Sequence, residues 1–232
     1  MRKLLFPFCF LVLIFIISCN PKGQNLTKEA ETGNIDKKDS IIIVKIDSAQ
    51  IPRFVKFNGN LKKAIRWKDE VGENLVILSE TGYHRNEKFK HEFDDSADFE
   101  LFAYHFSLNK NSSQQIWKMY DFVTDCPVDI EAEFDNQFPI VTDLNKNGIA
   151  EVWIMYKTGC HGDVSPVSLK LIMYEGNKKY AMRGENKVQV GADDYLGGEY
   201  KFDKAFDSVP VFKNYATKLW RENVYKTNTS EK

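Results

Sequence analysis

Glu100-Leu-Phe-Ala-Tyr-His-Phe-Ser-Leu108 alternates without a break and places Phe102, Tyr104, Phe106 and Leu108 on one side of an extended chain. Side chains of a strand point to opposite faces with period two, so this is the pattern of a half-buried strand with one apolar face on a core. Asn109 to Ser113 turns the chain, and Gln115 to Val123 returns with Ile116, Trp117, Tyr120 and Phe122. A link this short joins antiparallel neighbours, because a parallel return needs a long crossover. The middle of the chain therefore reads as an antiparallel meander.

The same reading extends in both directions. Ile41 to Ile46 is a β-branched run bounded by Asp39-Ser40 and Asp47-Ser48, and Asn74 to Ser79 is a short buried strand. Phe54 to Phe57 and Leu61 to Trp67 flank Asn58-Gly59-Asn60, a hairpin signal because Asn and Gly tolerate positive φ. Val152 to Tyr156 is a continuous apolar run suited to a central strand, and Leu169 to Tyr174 with Lys179 to Arg183 forms a hairpin around Gly176-Asn177. Then the period changes. Phe212, Tyr215, Ala216, Leu219, Trp220 and Asn223 or Val224 recur at three and four, with Ser208 as N-cap and Pro210 in the first turn. The expected fold is a β-rich α+β domain over residues 41–226: an antiparallel meander, propeller-blade-like or sandwich, with one C-terminal amphipathic helix.

Arg2 and Lys3 precede an apolar run from Leu4 to Ile17, which ends in Ile16-Ile17-Ser18-Cys19. That order is a secretory signal, and about 14 apolar residues fall short of the roughly 20 needed to span a bilayer. The ending resembles the lipobox of bacterial lipoproteins. The resemblance implies that residues 1–18 are removed and Cys19 is lipidated; by composition residues 19–40, polar after the anchor cysteine, read as a flexible tether and 227–232 as a frayed tail. Each buried methylene adds about 0.8 kcal/mol, so several acyl chains anchor firmly. The expected location is the outer membrane, on the periplasmic face by default because no acidic cluster follows Cys19, with the cell surface as the alternative.

The chain holds 32 Lys and Arg against 33 Asp and Glu; loss of Arg2 and Lys3 leaves 30 against 33, a charge of −3. This speaks against nucleic acid as a partner. Cys9 leaves with the signal and Cys19 carries lipid, so Cys126 and Cys160 remain, and two thiols in an oxidising compartment pair as a disulfide. On the chain-entropy model, closing that loop contributes about 4 kcal/mol. The competing reading makes Cys160 and His161 a nucleophile and base, but adjacency in sequence supplies neither placement nor a lowered thiol pKa.

Asp143-Leu-Asn145-Lys-Asn147-Gly148-Ile149-Ala-Glu151 sets side-chain oxygens at relative positions 1, 3, 5 and 9, with glycine at 6 and the Ile149 carbonyl at 7. Such spacing wraps a hard cation. Ile154 stands where an EF-hand needs its bidentate acid, and the loop instead resembles the calcium loops of integrin-type propeller repeats. Two carboxylates give weak calcium affinity; the metal-free alternative is a turn closed by Asx hydrogen bonds. A second loop, Gly159 to Pro166, gathers His161, Asp163 and Ser165, which a hydrolase could use and which a disulfide-pinned turn could equally hold. Asp-Ser pairs at Asp39, Asp47, Asp95 and Asp207 resemble O-glycosylation acceptors of exported Bacteroidetes proteins, or simply mark element starts.

The run from Asp125-Cys126-Pro127 through Asp143 to Glu151, Trp153, Tyr156, Cys160, Gly162 to Pro166, Lys170, Tyr174-Glu175, Lys179-Tyr180-Ala181 and Arg183-Gly184 resembles a family of small exported flavobacterial proteins linked to surface polysaccharide biosynthesis. The resemblance covers 99–184 and the Tyr215 to Trp220 helix; it carries over no catalytic residue, and what it implies is a process rather than a reaction. The expected function is a non-catalytic envelope lipoprotein that assists lipopolysaccharide or capsule biosynthesis or display, with envelope glycan or assembly proteins as partners. The second reading is an envelope hydrolase using His161, Asp163 and Ser165 on glycan or peptide.

Overall fold

The computed structural model describes residues 41–225. The signal, Cys19, the tether and the 227–232 tail lie outside the described residues. Five strands, β1 (Val44–Ile46), β2 (Asn60–Asp69), β3 (Gly72–Glu80), β4 (Ala97–Leu108) and β5 (Ser113–Cys126), follow one another in space as in sequence, every neighbour antiparallel. A second sheet holds β6 (Asp129–Phe134), β7 (Ile140–Thr142), β8 (Glu151–His161), β9 (Ser168–Glu175) and β10 (Lys178–Glu185). After a small hairpin of β11 (Lys187–Gln189) and β12 (Tyr195–Gly197), β13 (Tyr200–Phe202) completes it in the order β13-β10-β9-β8-β6, with β7 also on β8. The two sheets stack as a sandwich, and α1 (Pro210–Asn223) closes the chain.

Three apolar clusters explain the layers. Between the sheets, Ile65, Trp67, Val76, Leu78, Leu101, Ala103, Trp117 and Met119 meet Ile130, Val152, Ile154, Tyr156, Ile172 and Tyr174. On the outer side of the second sheet, Trp153, Met155, Leu171, Met173, Tyr180 and Met182 are covered by Phe212, Ala216, Leu219 and Trp220 of α1. On the outer side of the first sheet, Ala64, Leu75, Ile77, Phe102, Tyr104 and Phe106 are covered by the segment before β2, through Ile51, Val55 and Phe57. Burial of this much aliphatic and aromatic surface, at about 25 cal/mol per Å², is what drives the layers together.

That third cluster changes two expectations. β4 is not half-buried: Leu101 and Ala103 fill the inter-sheet core while Phe102, Tyr104 and Phe106 fill the outer one, so both faces are covered. Asn58-Gly59-Asn60 is not a hairpin turn, and Phe54 to Phe57 is not a strand. Tyr104 Oη accepts from Asn58 N at 3.0 Å and Ser79 Oγ donates to Asn58 O at 2.7 Å, which pins the segment flat on the sheet. Gly59 has φ of 77°, and a Cβ there would sit 2.7 Å from Glu80 O, so only glycine enters β2 at this point. The β2–β3 turn falls instead at Glu70-Val71.

The other hairpins stand where expected, β4 with β5 and β9 with β10 around Gly176-Asn177. The helix starts at Pro210, but Ser208 does not cap it: its hydroxyl donates to Ala205 O at 3.0 Å and closes the 3-10 turn Lys204–Ser208 instead.

Candidate binding site

Cys126 ends β5 in the first sheet and Cys160 lies near the end of β8 in the second; they are joined as a disulfide with Cα atoms 5.7 Å apart. The bond clamps the two sheets at one edge and fixes the loop that follows. In that loop His161 Nδ1 lies 2.7 Å from Asp163 O and Nε2 lies 3.3 Å from Glu131 Oε2 on β6. Ser165 N donates to Asp163 Oδ1 at 3.0 Å, and bonds from the Ser165 hydroxyl and amide hold the Asp163 carboxyl below its ordinary range. The three residues are thus brought together, but the serine hydroxyl serves the aspartate and both imidazole nitrogens face acceptors. Nucleophilic catalysis needs the hydroxyl on the imidazole, which this arrangement does not provide. Glu131 also pairs with Lys157, which Glu133 Oε1 approaches at 3.0 Å from the same strand.

The loop lines a pocket of about 530 Å³. Its opposite wall is the β11–β12 hairpin with Tyr195, and Tyr225 just beyond α1. Asn186 builds this wall: its Oδ1 accepts from Val167 N at 2.7 Å, and its backbone oxygen accepts from Gly198 N at 3.1 Å. Lys187 N donates to Val224 O at 2.8 Å, tying the hairpin to the helix end. Gly197 has φ of 73°, and a Cβ there would meet Asn186 O at 2.2 Å and Pro166 at 2.8 Å, so the hairpin approaches the loop only because this residue is glycine. Tyr195 and Tyr225 are 44% and 52% exposed, set edge to face with centroids 5.8 Å apart, and Lys187 Nζ lies 4.9 Å from each ring. The two touching rings give the pocket one aromatic wall, and His161, Glu131 and Asp163 face it from the other side, so apolar surface and polar groups converge as in a small-molecule site. Sequence reasoning placed the loop but missed both tyrosines and Lys187, which lie in segments without periodicity and join the pocket only through the tertiary fold.

The Asp143–Glu151 loop folds around its own backbone. Asp143 accepts from Asn147 N at 3.0 Å and Gly148 N at 3.2 Å, Asn145 Oδ1 from Asn147 N at 3.2 Å, and Asn147 Oδ1 from Ile149 N at 2.8 Å. Glu151 is fully buried and accepts from Thr142 Oγ1 at 2.6 Å and Leu144 N at 2.9 Å. Burial raises its pKa, against the pull of those hydrogen bonds. Glu175 on β9 takes the amide groups of Asn145 and Asn147, at 2.5 and 2.8 Å, and Asp69 accepts from Ala150 N at 3.2 Å. Among the described residues, no three His, Cys, Asp or Glu side chains converge as a metal site. A cation here would rest on Asp143 and Glu151, on Asn and backbone oxygens, and on a charge surplus that the fold has increased, since Glu175 and Asp69 stand beside the two carboxylates of the loop.

The carboxylates Asp94-Asp95 and Asp193-Asp194 are exposed in turns. The stretch before β4 holds a less visible polar centre. Asp98 is fully buried and accepts from Asn86 N at 2.6 Å, Asp125 N at 2.9 Å, Thr124 Oγ1 at 3.0 Å and His91 Nε2 at 2.8 Å. Glu100, beside it on β4, accepts from Tyr120 Oη at 2.6 Å and lies 2.9 Å from His84 Nε2. Every member is satisfied from within, which makes this a strut for the 81–96 loop.

No protein-family model, curated protein or solved structure matches this chain.

Proposed function

We propose that this chain is a lipid-anchored envelope protein that binds a saccharide between the Tyr195–Tyr225 pair and the His161 loop and thereby assists the biosynthesis or display of surface polysaccharide, without turning it over. The observation that carries the reading is the pocket itself: two exposed tyrosine rings face a loop whose polar groups are fixed by a disulfide. Tyrosine offers a rigid amphipathic surface that stacks on a sugar ring at small entropic cost, and His161, Asp163 and Glu131 supply donors and acceptors for hydroxyl groups. The resemblance to exported flavobacterial proteins supports the process, and the signal ending at Cys19 supports the location at the outer membrane, periplasmic face.

Calcium at Asp143, Asn145, Asn147, Ile149 and Glu151 belongs to the same proposal as a weak stabiliser, supported by the carboxylates of Glu175 and Asp69 beside the loop. Alanine at His161, Asp163 and Ser165 together tests the function. A deletion strain complemented by this triple variant is expected to recover its lipopolysaccharide and capsule profile in part, with binding weakened through lost hydrogen bonds. A variant that folds and reaches the membrane at normal level yet restores nothing would favour the envelope hydrolase.

A further inference from the structure

His161 meets acceptors at both ring nitrogens, and they belong to two different elements. Nδ1 lies 2.7 Å from the backbone oxygen of Asp163, inside the loop, and 3.9 Å from Asp163 Oδ1. Nε2 lies 3.3 Å from Glu131 Oε2 on β6. A neutral imidazole has one N–H and one lone pair and satisfies one of these contacts; the imidazolium, with two donors, satisfies both. A carbonyl oxygen only accepts, which fixes a proton on Nδ1. Glu131 gives its other oxygen to the Lys157 ammonium, so it meets the ring as a carboxylate. The second proton therefore lies on Nε2, and the loop as folded here is the form that the charged ring holds.

The sheet is built for this reach. In the β6–β8 register Glu131 stands opposite Gly159, and His161 opposite Asp129. Gly159 puts no side chain between the glutamate and the ring, and none fits, since a Cβ there would come within 2.3 Å of Val167. The two side chains are 22% and 28% exposed, so solvent screens their contact less than it does a surface pair. The charged groups around the ring are Asp129, Glu131 and Glu133 on β6, Lys157 on β8, Asp163 in the loop and Lys187 on the far wall of the pocket. Burial opposes the charge on Lys157, but its bonds to Glu131 and Glu133 prevail and raise its pKa. Among these residue types, histidine is the one that ordinarily changes charge between about pH 5 and 8.

We propose that His161 is a pH-operated latch on the tyrosine pocket: its imidazolium ties the loop wall to β6, and loss of the Nε2 proton frees that wall. On deprotonation Nδ1 keeps its bond to Asp163 O, while Nε2 turns a lone pair toward the Glu131 carboxylate. Two electron-rich groups then face each other, and the contact opens. The disulfide at Cys160 holds one end of the loop, and Val167 N, which donates to Asn186 Oδ1 at 2.7 Å, holds the other, so the movement is confined to 161–166. Glu131 and this loop line the same cavity of about 530 Å³, whose wall is thus set in acid and loosened as pH rises. The part the latch plays in saccharide binding rests on the reading above, whereas the test below contains no ligand, so either can fail without the other.

NMR of the full chain at about pH 5 and about pH 8 tests the latch. Both ring nitrogens of His161 should be protonated at the lower pH, and Nδ1 alone at the higher. The nuclear Overhauser contact between the ring and the Glu131 methylene groups should be lost on the same change. Backbone order parameters at 162–165 should fall from about 0.85 toward about 0.6. In Glu131→Gln the side-chain amide can donate to the bare Nε2 and, turned over, accept from the protonated one, so contact and order should persist at both pH values. Lys157 keeps Glu133 at 3.0 Å in that variant. A proton on Nε2 instead of Nδ1 at the higher pH, a contact and order parameters that ignore pH in the wild type, or the wild-type loss repeated in Glu131→Gln would overturn the proposal. The wild-type readings decide it even if Glu131→Gln folds poorly.

Discussion

His105 and Asp98 lie seven residues apart on one strand, and acid acts on both in the same direction by different routes. The His105 imidazole sits in the inter-sheet core with Nε2 2.8 Å from Asn74 Oδ1, the Trp67 ring stacked at 5.3 Å and Nδ1 without a partner. Burial pushes its pKa down to about 4, with the Asp69 charge opposing. An unfolded histidine titrates near 6.5, so as pH falls from about 6.5 to about 4 the unfolded chain gains a proton that the folded one refuses, and stability falls through that window. At Asp98 burial works against the charge, yet its hydrogen bonds win and hold the pKa at about 2. That contribution is complete above the unfolded value near 4 and is lost as pH falls toward 2. Urea unfolding across pH should therefore show two successive losses, about 3 kcal/mol between pH 6.5 and 4 and about 2 kcal/mol below it. His105→Gln, which keeps a donor for Asn74, should remove the upper loss, and an unchanged profile in that variant would refute the assignment. Neither role was legible in the sequence. His84 to Asp98 reads there as a solvated charged stretch, because the groups that neutralise the burial of Asp98 come from as far away as Asp125.

At the scale of elements, local pattern and tertiary context divide the work. The paired segments β4–β5 and β9–β10 were legible because turn chemistry and period two agree over a short span. The segment before β2 misled because Asn58-Gly59 has hairpin composition, whereas its residues Val55 and Phe57 lie on an apolar face that nothing in the local pattern reveals. The disulfide is the tie between elements that the cysteine count made legible, and it joins the sheets where β5 leaves one and β6 enters the other. Replacing Cys126 and Cys160 together by alanine should cost about 2–4 kcal/mol in chemical unfolding and loosen the His161 loop. A cost near zero would show that the sandwich holds its edge without the bond. The Asp143–Glu151 loop offers a separate check. Millimolar calcium should raise the melting temperature by about 3 °C, the effect of about 1 kcal/mol in a domain of this size, and Asp143→Asn should abolish the rise. No shift in the wild type would leave the loop as the hydrogen-bonded turn seen here.

In the molecule as a whole, packing decides which faces are covered. One outer surface is sealed by the segment before β2 and the other by α1, and the tyrosine pocket lies open beyond β10, against the His161 loop. The class of the fold and the components of the His161 loop were legible; the pocket was not, since Tyr195, Tyr225 and Lys187 come from segments whose only shared property is where the chain puts them. The central claim is that this pocket holds a saccharide and leaves it intact. The most direct measurement is a titration of the full chain with oligosaccharides released from the surface polysaccharide of its own cell, followed by mass analysis of the recovered ligand. The account predicts saturable binding, a loss of about tenfold or more in affinity in Tyr195→Ala and Tyr225→Ala together, and a ligand recovered unchanged. Binding that survives the loss of both rings, or a shortened ligand whose formation stops in His161→Ala, would contradict it.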